Sequence, residues 1–579
     1  MADRLAARLA RAPTPLALLR EQGARRGDHP ALVFMRSPDD PEPQVMSYAA
    51  LAQAATLAAG ELMTLGVTPS DGVALFTPAA PAGVAALFGA IEVGVAFPVN
   101  LLLSAEGMDA QLRLARARVA LVWGGTDAAV RLASVAPALS DLRAVLDISD
   151  GARAWTPRPS SFPPPDFAGR LDRPAALFHT GGTTGDPKLA ELSARGIAAA
   201  ALMGGAALRL SEDDSICVAL PLFHVGGAIS CVMSALACGA TVILPGLLGG
   251  RDPALRTGIW RLLERTRATV LAMVPTSLAG IIDTPLDGAD LQALRGICTG
   301  AAPLPLDTLH RLEAKLGIPV CQMYGMTELS GVCSAQPLDG LFRSSAVGFP
   351  APMIEARLGD GAPRPGARGD ILLRGPNSFL GYRTASGRRD EPSDGWVITG
   401  DMGEVDRDGQ LQLLGRSKDV IIRGGHNIDP LMIEEAAQQH PAVRICAAAP
   451  MPDAYAGELP ALYVALNPRM EVTADELVAF VAERISDPPA RPKRVFLLDD
   501  LPLTPVGKIA RFRLRQAAAV QALKDAVAGA HNLRLSCDDP TAKTIELSGG
   551  HELPSDLVRD LEASAAKLGL KLAHAPDGY

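Results

Sequence analysis

The feature that most limits what this chain can fold into is the stretch from residue 175 to Lys188. A short apolar run, 175–178, leads into His-Thr-Gly-Gly-Thr-Thr-Gly-Asp-Pro-Lys, ending at Lys188. An uninterrupted apolar run of this length reads as a strand covered on both faces. Gly181, Gly182 and Gly185 allow dihedrals and close backbone approach that a Cβ forbids. Polar residues and then an Ala-rich helix from Arg195 follow. A strand, a glycine loop and a helix bring a backbone close to phosphate, where freed N–H groups, Thr hydroxyls and one ammonium face anionic oxygens. The loop is not a Walker loop, because no Gly-Lys-Ser/Thr follows at the required spacing. Taken alone, it also fits an ordinary glycine-rich turn.

The chain around it alternates strand and helix. Ser47 is a good N-cap for a helix over 48–65 that Gly66 ends. A strand over 73–76, a helix from Pro81 to Val93 and strands at 95–99, 119–123 and 144–148 follow. After the loop, strands are predicted at 241–244, 270–274, 297–299 and 320–323. Strands apolar on both faces imply parallel sheets covered by helices. Over 346–414 the texture changes to short strands with Gly and Pro turns. Beyond Gly415, a helix capped by Asp429, a helix over 475–484 and strands at 443–449, 461–465 and 495–498 make a compact α+β unit. The predicted fold is therefore α/β, with a large N-terminal domain over 1–415, a β-rich subdomain over about 346–414 and an α+β domain over 416–515. A tail over 516–579 adds helices near 516–528 and 555–568 and strands near 533–536 and 544–547.

Length and composition limit the function. At 579 residues the chain exceeds one simple core, and roughly one domain per 150 residues suggests three or four compact units. A net charge of −8 offers no basic face for nucleic acid. The eight cysteines form no CxxC pair, which favours reduced cytosolic thiols over zinc or a disulfide framework. Residues 1–13 lack the apolar core of a signal peptide. Residues 216–248 carry no charge apart from His, but Pro221, Gly226, Gly227, Gly239 and Pro245 punctuate them. They read as buried strand, turn, helix and strand, not as a membrane span.

Five motifs in order carry a family resemblance. Thr180-Gly-Gly-Thr-Thr-Gly-Asp-Pro-Lys188 resembles the phosphate loop of the adenylate-forming enzymes: acyl- and aryl-CoA synthetases, peptide-synthetase adenylation domains and luciferases. Pro221-Leu-Phe-His-Val-Gly-Gly227, Tyr324-Gly-Met-Thr-Glu328, the run from Thr399-Gly-Asp401 to Gly415-Arg-Ser-Lys-Asp419, and Pro502-Leu-Thr-Pro-Val-Gly-Lys508 agree with it. The resemblance spans most of 30–515.

It implies a two-step reaction. ATP converts a carboxylate into an acyl-adenylate, and a thiol displaces AMP. ATP, Mg2+ and CoA are the implied cosubstrates, with a carboxylic acid as partner and no tightly bound prosthetic group. Thr180, Gly181, Gly182, Thr183, Thr184, Gly185 and Lys188 then face the ATP phosphates. Thr327 bonds a phosphate oxygen and Glu328 holds the metal, although on spacing alone Glu328 could equally be a helix N-terminal acid. Tyr324 and Gly325 take one side of the adenine, and Gly300, Ala301, Ala302 and Pro303 the other. Asp401 and Arg416 contact the ribose. Lys508 bridges carboxylate and α-phosphate, and Thr184 and Glu328 share the catalytic work. Lys418 falls at the hinge of a mobile lid, and Gly424 and Gly425 at the CoA tunnel.

The acid pocket is expected between 223–231, with Phe223, His224 and Gly227, and 326–332, with Met326 and Gly331, where Gly226, Gly227, Gly325 and Gly331 leave room. His224 resembles an aromatic gate, and a half-buried structural His is an equal alternative. No charged residue suited to an amino-acid substrate is evident, which favours an apolar acid: fatty, alicyclic or aryl. Gly181 replaces the family's usual Ser, Leu189 its usual Gly, and His179 a more usual aromatic. The alternatives are an acyl-AMP ligase that loads a carrier protein and a non-catalytic nucleotide-binding relative. The tail reads as structural packing or an oligomer contact such as a homodimer.

Overall fold

In the computed structural model the described residues are 1–149, 171–180, 188–302, 304, 306–340, 346–359, 361–416, 419–424, 426–504, 508–527, 533–537, 542–548 and 554–574. They fall into two compact units. The first comprises Met1–Thr180, residues 188–399 and Glu404–Leu413; the second comprises Gly400–Gly403 and the chain from Leu414 on.

The predicted alternation builds the first unit. Strands Gly72–Phe76, Val95–Pro98, Ala117–Val122 and Ala144–Asp147 pair in parallel, and Pro174–His179 joins beside Val95–Pro98. A second sheet sets Val320–Met326, Gly296–Gly300, Val270–Ala272, Ser215–Val218, Thr241–Pro245 and Pro30–Met35 side by side, also in parallel. Helices that are unusually apolar all round pack with both sheets, as buried helices do. Ser47 Oγ accepts the Ala50 amide at 3.2 Å and starts the helix Tyr48–Thr64. Pro81 opens the wholly buried helix Pro81–Val93. There a Cβ on Gly89 would lie 2.7 Å from that of Ala58, so glycine sets how closely the two helices approach.

One element departs from the sequence reading. The residues after Lys188 are not a polar link: Leu189–Ser193 is a strand, antiparallel to Pro174–His179. Ser193 then caps the helix Ala194–Leu208 by accepting the Gly196 amide at 3.0 Å. Leu189 is fully buried in the apolar core, which accounts for a leucine where glycine is usual. Glu191 made the segment look polar, but its carboxylate is buried between Arg383 at 2.7 Å and Arg388 at 2.5 Å.

The long uncharged stretch resolves as expected into strand Ser215–Val218, a helical turn region and strand Thr241–Pro245. Its helix opens with an eight-residue π-helical segment, Gly226–Met233, a form concentrated at functional sites. Among the described residues no helix is long and apolar enough to cross a membrane. Glu355–Leu358, Arg368–Arg374, Val397–Val405 and Leu411–Arg416 form a four-stranded sheet in that order, matching the predicted β-rich texture.

In the second unit, Val443–Asp453 and Gly457–Leu466 form a long antiparallel pair, with Arg494–Leu497 parallel to the latter. Asp429 Oδ1 accepts the Leu431 amide at 2.9 Å and caps Pro430–Gln438. The helix Arg511–Ala526 joins two cores. Its Leu514 and Ala518 pack with Tyr463 and Leu501, while Ala519 and Leu523 pack with Ile545 and Leu561 of the tail. The tail sheet, Leu535–Ser536, Thr544–Leu547 and Lys571–His574, thus grows from a helix that begins inside the preceding core. Arg511 anchors that helix with a bidentate pair to Glu434, its Nη2 standing 2.8 Å from Oε2.

Candidate functional site

Glu328 stands on a short turn, Thr327–Leu329, between the antiparallel strands Val320–Met326 and Gly331–Ala335. Ser330 adopts φ +52° to complete the reversal. The Tyr382 hydroxyl donates to Glu328 Oε1, and the Lys188 ammonium lies 3.9 Å from the centroid of the Tyr382 ring. The cation at the end of the glycine loop and the predicted metal carboxylate are thus brought to one tyrosine. Thr180 Oγ1 and Thr299 Oγ1 are buried with no hydrogen-bond partner among the described residues. Such orphaned hydroxyls suit a bound polar group.

Magnesium fits this donor set. Among the described residues no three His, Cys, Asp or Glu side chains gather as a metal cage. One carboxylate completed by nucleotide oxygens and water is the arrangement magnesium favours.

The predicted adenine residues cluster on the same sheet. Gly300 pairs with Met323 in parallel register, and a Cβ on it would stand 2.6 Å from the Met323 carbonyl oxygen. Ala301 follows at φ +73°, a left-handed conformation uncommon for a residue with a side chain. Ala302 continues this turn. Tyr324 is buried in Val320–Met326, opposite Ser334. Thr327 is buried at the start of the Glu328 turn.

Among the residues expected at the acid pocket, the Gly226 amide donates to His224 Nδ1 at 3.1 Å. Phe223 is buried, with the Arg251 guanidinium 6.0 Å from its ring centroid. Burial lowers the Arg251 pKa from its ordinary value. Gly331 packs against the π-helical segment, where a Cβ would lie 2.4 Å from Ser230 Oγ. Gly325 backs onto Gly331, with the carbonyl oxygen 2.4 Å from its own would-be Cβ. Met326 ends the strand beside them. Gly227 differs from the expectation that it leaves room for substrate: its Cβ direction points 2.3 Å from the Pro221 carbonyl oxygen, so backbone packing accounts for this glycine.

Asp401 is buried in the strand Val397–Val405, and Arg416 ends the strand Leu411–Arg416. In the second unit, Gly424 has φ +56° and donates its amide to the Ala456 carbonyl at 2.8 Å. Lys508 pairs with Thr504. The Thr504 amide donates to the Lys508 carbonyl at 2.6 Å, and the Lys508 amide donates to Thr504 Oγ1 at 3.1 Å. Gly181, Gly182, Thr183, Thr184, Gly185, Pro303, Lys418 and Gly425 lie outside the described residues.

Sequence reasoning singled out none of Tyr382, Glu191, Ser230 and Thr504. Thr504 lay inside a quoted motif, and Ser230, four residues past Gly226, inside the stretch expected to line the acid pocket. Tyr382 and Glu191 offered no local signal, since their partners are distant in sequence.

The family described as AMP-binding enzyme matches residues 19–383, and the AMP-binding enzyme C-terminal domain matches 432–508. The chain is 36% identical over 367 residues to a marinolic acid–CoA ligase of Pseudoalteromonas sp. (strain SANK 73390), covering 61% of this chain and 56% of that enzyme. It is 32% identical over 480 residues to a probable CoA ligase of Humulus lupulus, covering 80% and 90%. The crystal structure of an anthranilate CoA ligase in complex with anthranoyl-AMP superposes with a TM-score of 0.78 at 25% identity, covering 87% of this chain and 97% of that one. The motifs, the two-sheet fold and these matches agree: the chain belongs to the AMP-binding, adenylate-forming enzymes and is an AMP-forming acid–CoA ligase.

Proposed function

We propose that this ligase activates an apolar carboxylic acid, fatty, alicyclic or aryl, and passes it to CoA, with domains at 1–415 and 416–515 and the tail as a packing or subunit-contact element. A carboxylate is a poor electrophile because it is charged and resonance-stabilised; adenylation gives it a good leaving group. Thr180, Lys188 and the glycine loop hold the phosphates, and Glu328 holds magnesium, which neutralises phosphate charge when bound. Tyr324 and residues 300–302 take the adenine, and Asp401 and Arg416 the ribose. Lys508 steadies the charge that builds on the α-phosphate. Lys418 serves as the hinge on which the lid turns, after which Gly424 and Gly425 line the path of CoA. Separating the half-reactions in this way keeps water from the adenylate while CoA is admitted. The eight cysteines, none of them in a disulfide, suit a reducing cytoplasm.

One observation carries the reading. The turn at 327–331 has Glu328 bonded to Tyr382, whose ring carries Lys188, at one end, and Gly331 against the π-helical segment at Ser230 at the other. A carboxylate entering along that segment arrives beside the groups suited to phosphate. In the π-helical segment Ala228, Ile229 and Val232 are buried with the apolar core, which supports an apolar acid.

The test is a mass-spectrometric screen of purified protein with ATP, magnesium, CoA and a mixture of carboxylic acids. Thioesters of apolar acids are expected. Adenylates without thioesters would point to the carrier-loading alternative, and thioesters confined to charged acids would overturn the assigned class.

A further inference from the structure

We propose that Tyr382 is a positioning residue for adenylation: its hydroxyl sets the Glu328 carboxylate for the metal of ATP, and its ring seats Lys188 beside it. The proposal rests on the reading of Glu328 as the metal ligand. Tyr382 begins the strand Tyr382–Thr384, which pairs with Leu189–Ser193 immediately after Lys188, so that Tyr382 lies opposite Ala190. The residue is 9% exposed, and its hydroxyl reaches Glu328 across 54 positions of sequence. With Oε1 accepting from the phenol, Oε2 is the oxygen left to face a cation. Among the described residues Oε2 accepts no hydrogen bond.

The surroundings hold the ring in place. Phe379 packs edge-on against it at 5.0 Å, and the Phe379 amide donates to the Glu328 carbonyl at 2.8 Å. Asn377 Nδ2 donates to the Leu329 carbonyl at 2.6 Å, and Ser330 Oγ donates to the Asn377 carbonyl at 2.9 Å. On the other side Glu191 grips Arg383 and Arg388, and its backbone exchanges hydrogen bonds with Leu380 and Gly381. Residues 377–383 therefore tie the strand after the glycine loop to the Glu328 turn, with Tyr382 as the side chain common to both. Partners of this kind orient a metal ligand, and removing one typically lowers metal affinity about 10–100-fold.

The experiment titrates Mn2+ into the full chain with ATP, read by electron paramagnetic resonance, alongside ATP binding in EDTA. Tyr382→Phe keeps the ring and loses the hydroxyl. It should weaken Mn2+ binding about 10-fold or more while ATP binding in EDTA stays as in the parent. Tyr382→Leu also loses the seat of Lys188 and should weaken ATP binding in EDTA as well. Glu328→Gln is the reference. If it loses Mn2+ while Tyr382→Phe binds Mn2+ as tightly as the parent or tighter, the positioning role is overturned. Parent-like Mn2+ affinity in Glu328→Gln would instead overturn the reading of Glu328, and the proposal with it.

Discussion

Thr504 and Lys508 are bonded to each other twice, amide to carbonyl at 2.6 Å and amide to hydroxyl at 3.1 Å. An antiparallel bridge between Leu503 and Ile509 lies one step out. The lysine assigned to the α-phosphate is thus braced by Thr504. Misplacing a reacting group by about 1 Å can cost about 10²-fold. Thr504→Val removes only the hydroxyl acceptor and is expected to slow pyrophosphate release roughly tenfold. Thioester formation from supplied adenylate should change little. Equal loss in both assays would remove Thr504 from this role.

Lys508 itself separates the half-reactions. Lys508→Ala should lower adenylation on the order of 10²–10³-fold, the scale of losing one preorganised contact to developing charge. Synthesis of acyl-CoA from preformed adenylate should survive. Measuring both reactions on one preparation decides the point, since a folded variant that loses both equally contradicts the assignment.

Glu191 should matter to stability before it matters to chemistry. Its buried carboxylate faces two partly exposed guanidinium groups that water can reach once it is gone, so its loss is expected to cost about 1–3 kcal/mol. Glu191→Ala is expected to lower the urea midpoint of the first unit accordingly. An unchanged midpoint would show that the pairing contributes nothing net.

Asp429 gives the second unit a pH signature. Burial, with Glu434 and Glu435 nearby, pushes its carboxyl up to about 6, against the bond from the Leu431 amide and the charge of Arg511. Because the folded pKa is raised above an unfolded value of about 3.9, the folded state binds the extra proton. Its contribution to stability is greatest below about pH 4 and is lost as pH rises through about 6. Asp429→Asn keeps an equally good helix cap and removes the titration. It should flatten this part of the profile and stabilise the unit at pH 8, on the order of 2 kcal/mol. Chemical denaturation at pH 4, 6 and 8 checks it; a parent-like slope in the variant would assign the titration elsewhere.

Much of the architecture was legible because its causes are local. Ser47 and Asp429 cap helices through amides two or three residues away, and Pro81 opens one through its own ring. Apolar runs such as Gly72–Phe76 and Thr241–Pro245 needed no partner to be read as buried strands. The motifs also singled out Thr327, Glu328 and Gly331, which are neighbours in sequence and which the structure sets at one turn. What only the tertiary structure decided is which distant residues meet. Glu191 looked like a polar link until Arg383 and Arg388 were brought to it, and Tyr382 was one aromatic among many until Glu328 and Lys188 converged on it. Gly227, read as space for a substrate, owes its identity to the Pro221 carbonyl against its α-carbon. A local pattern reports propensity and periodicity within a few turns of chain. Burial of a charge, the aim of a hydroxyl and the gap beside a glycine depend on contacts that form only when remote segments pack.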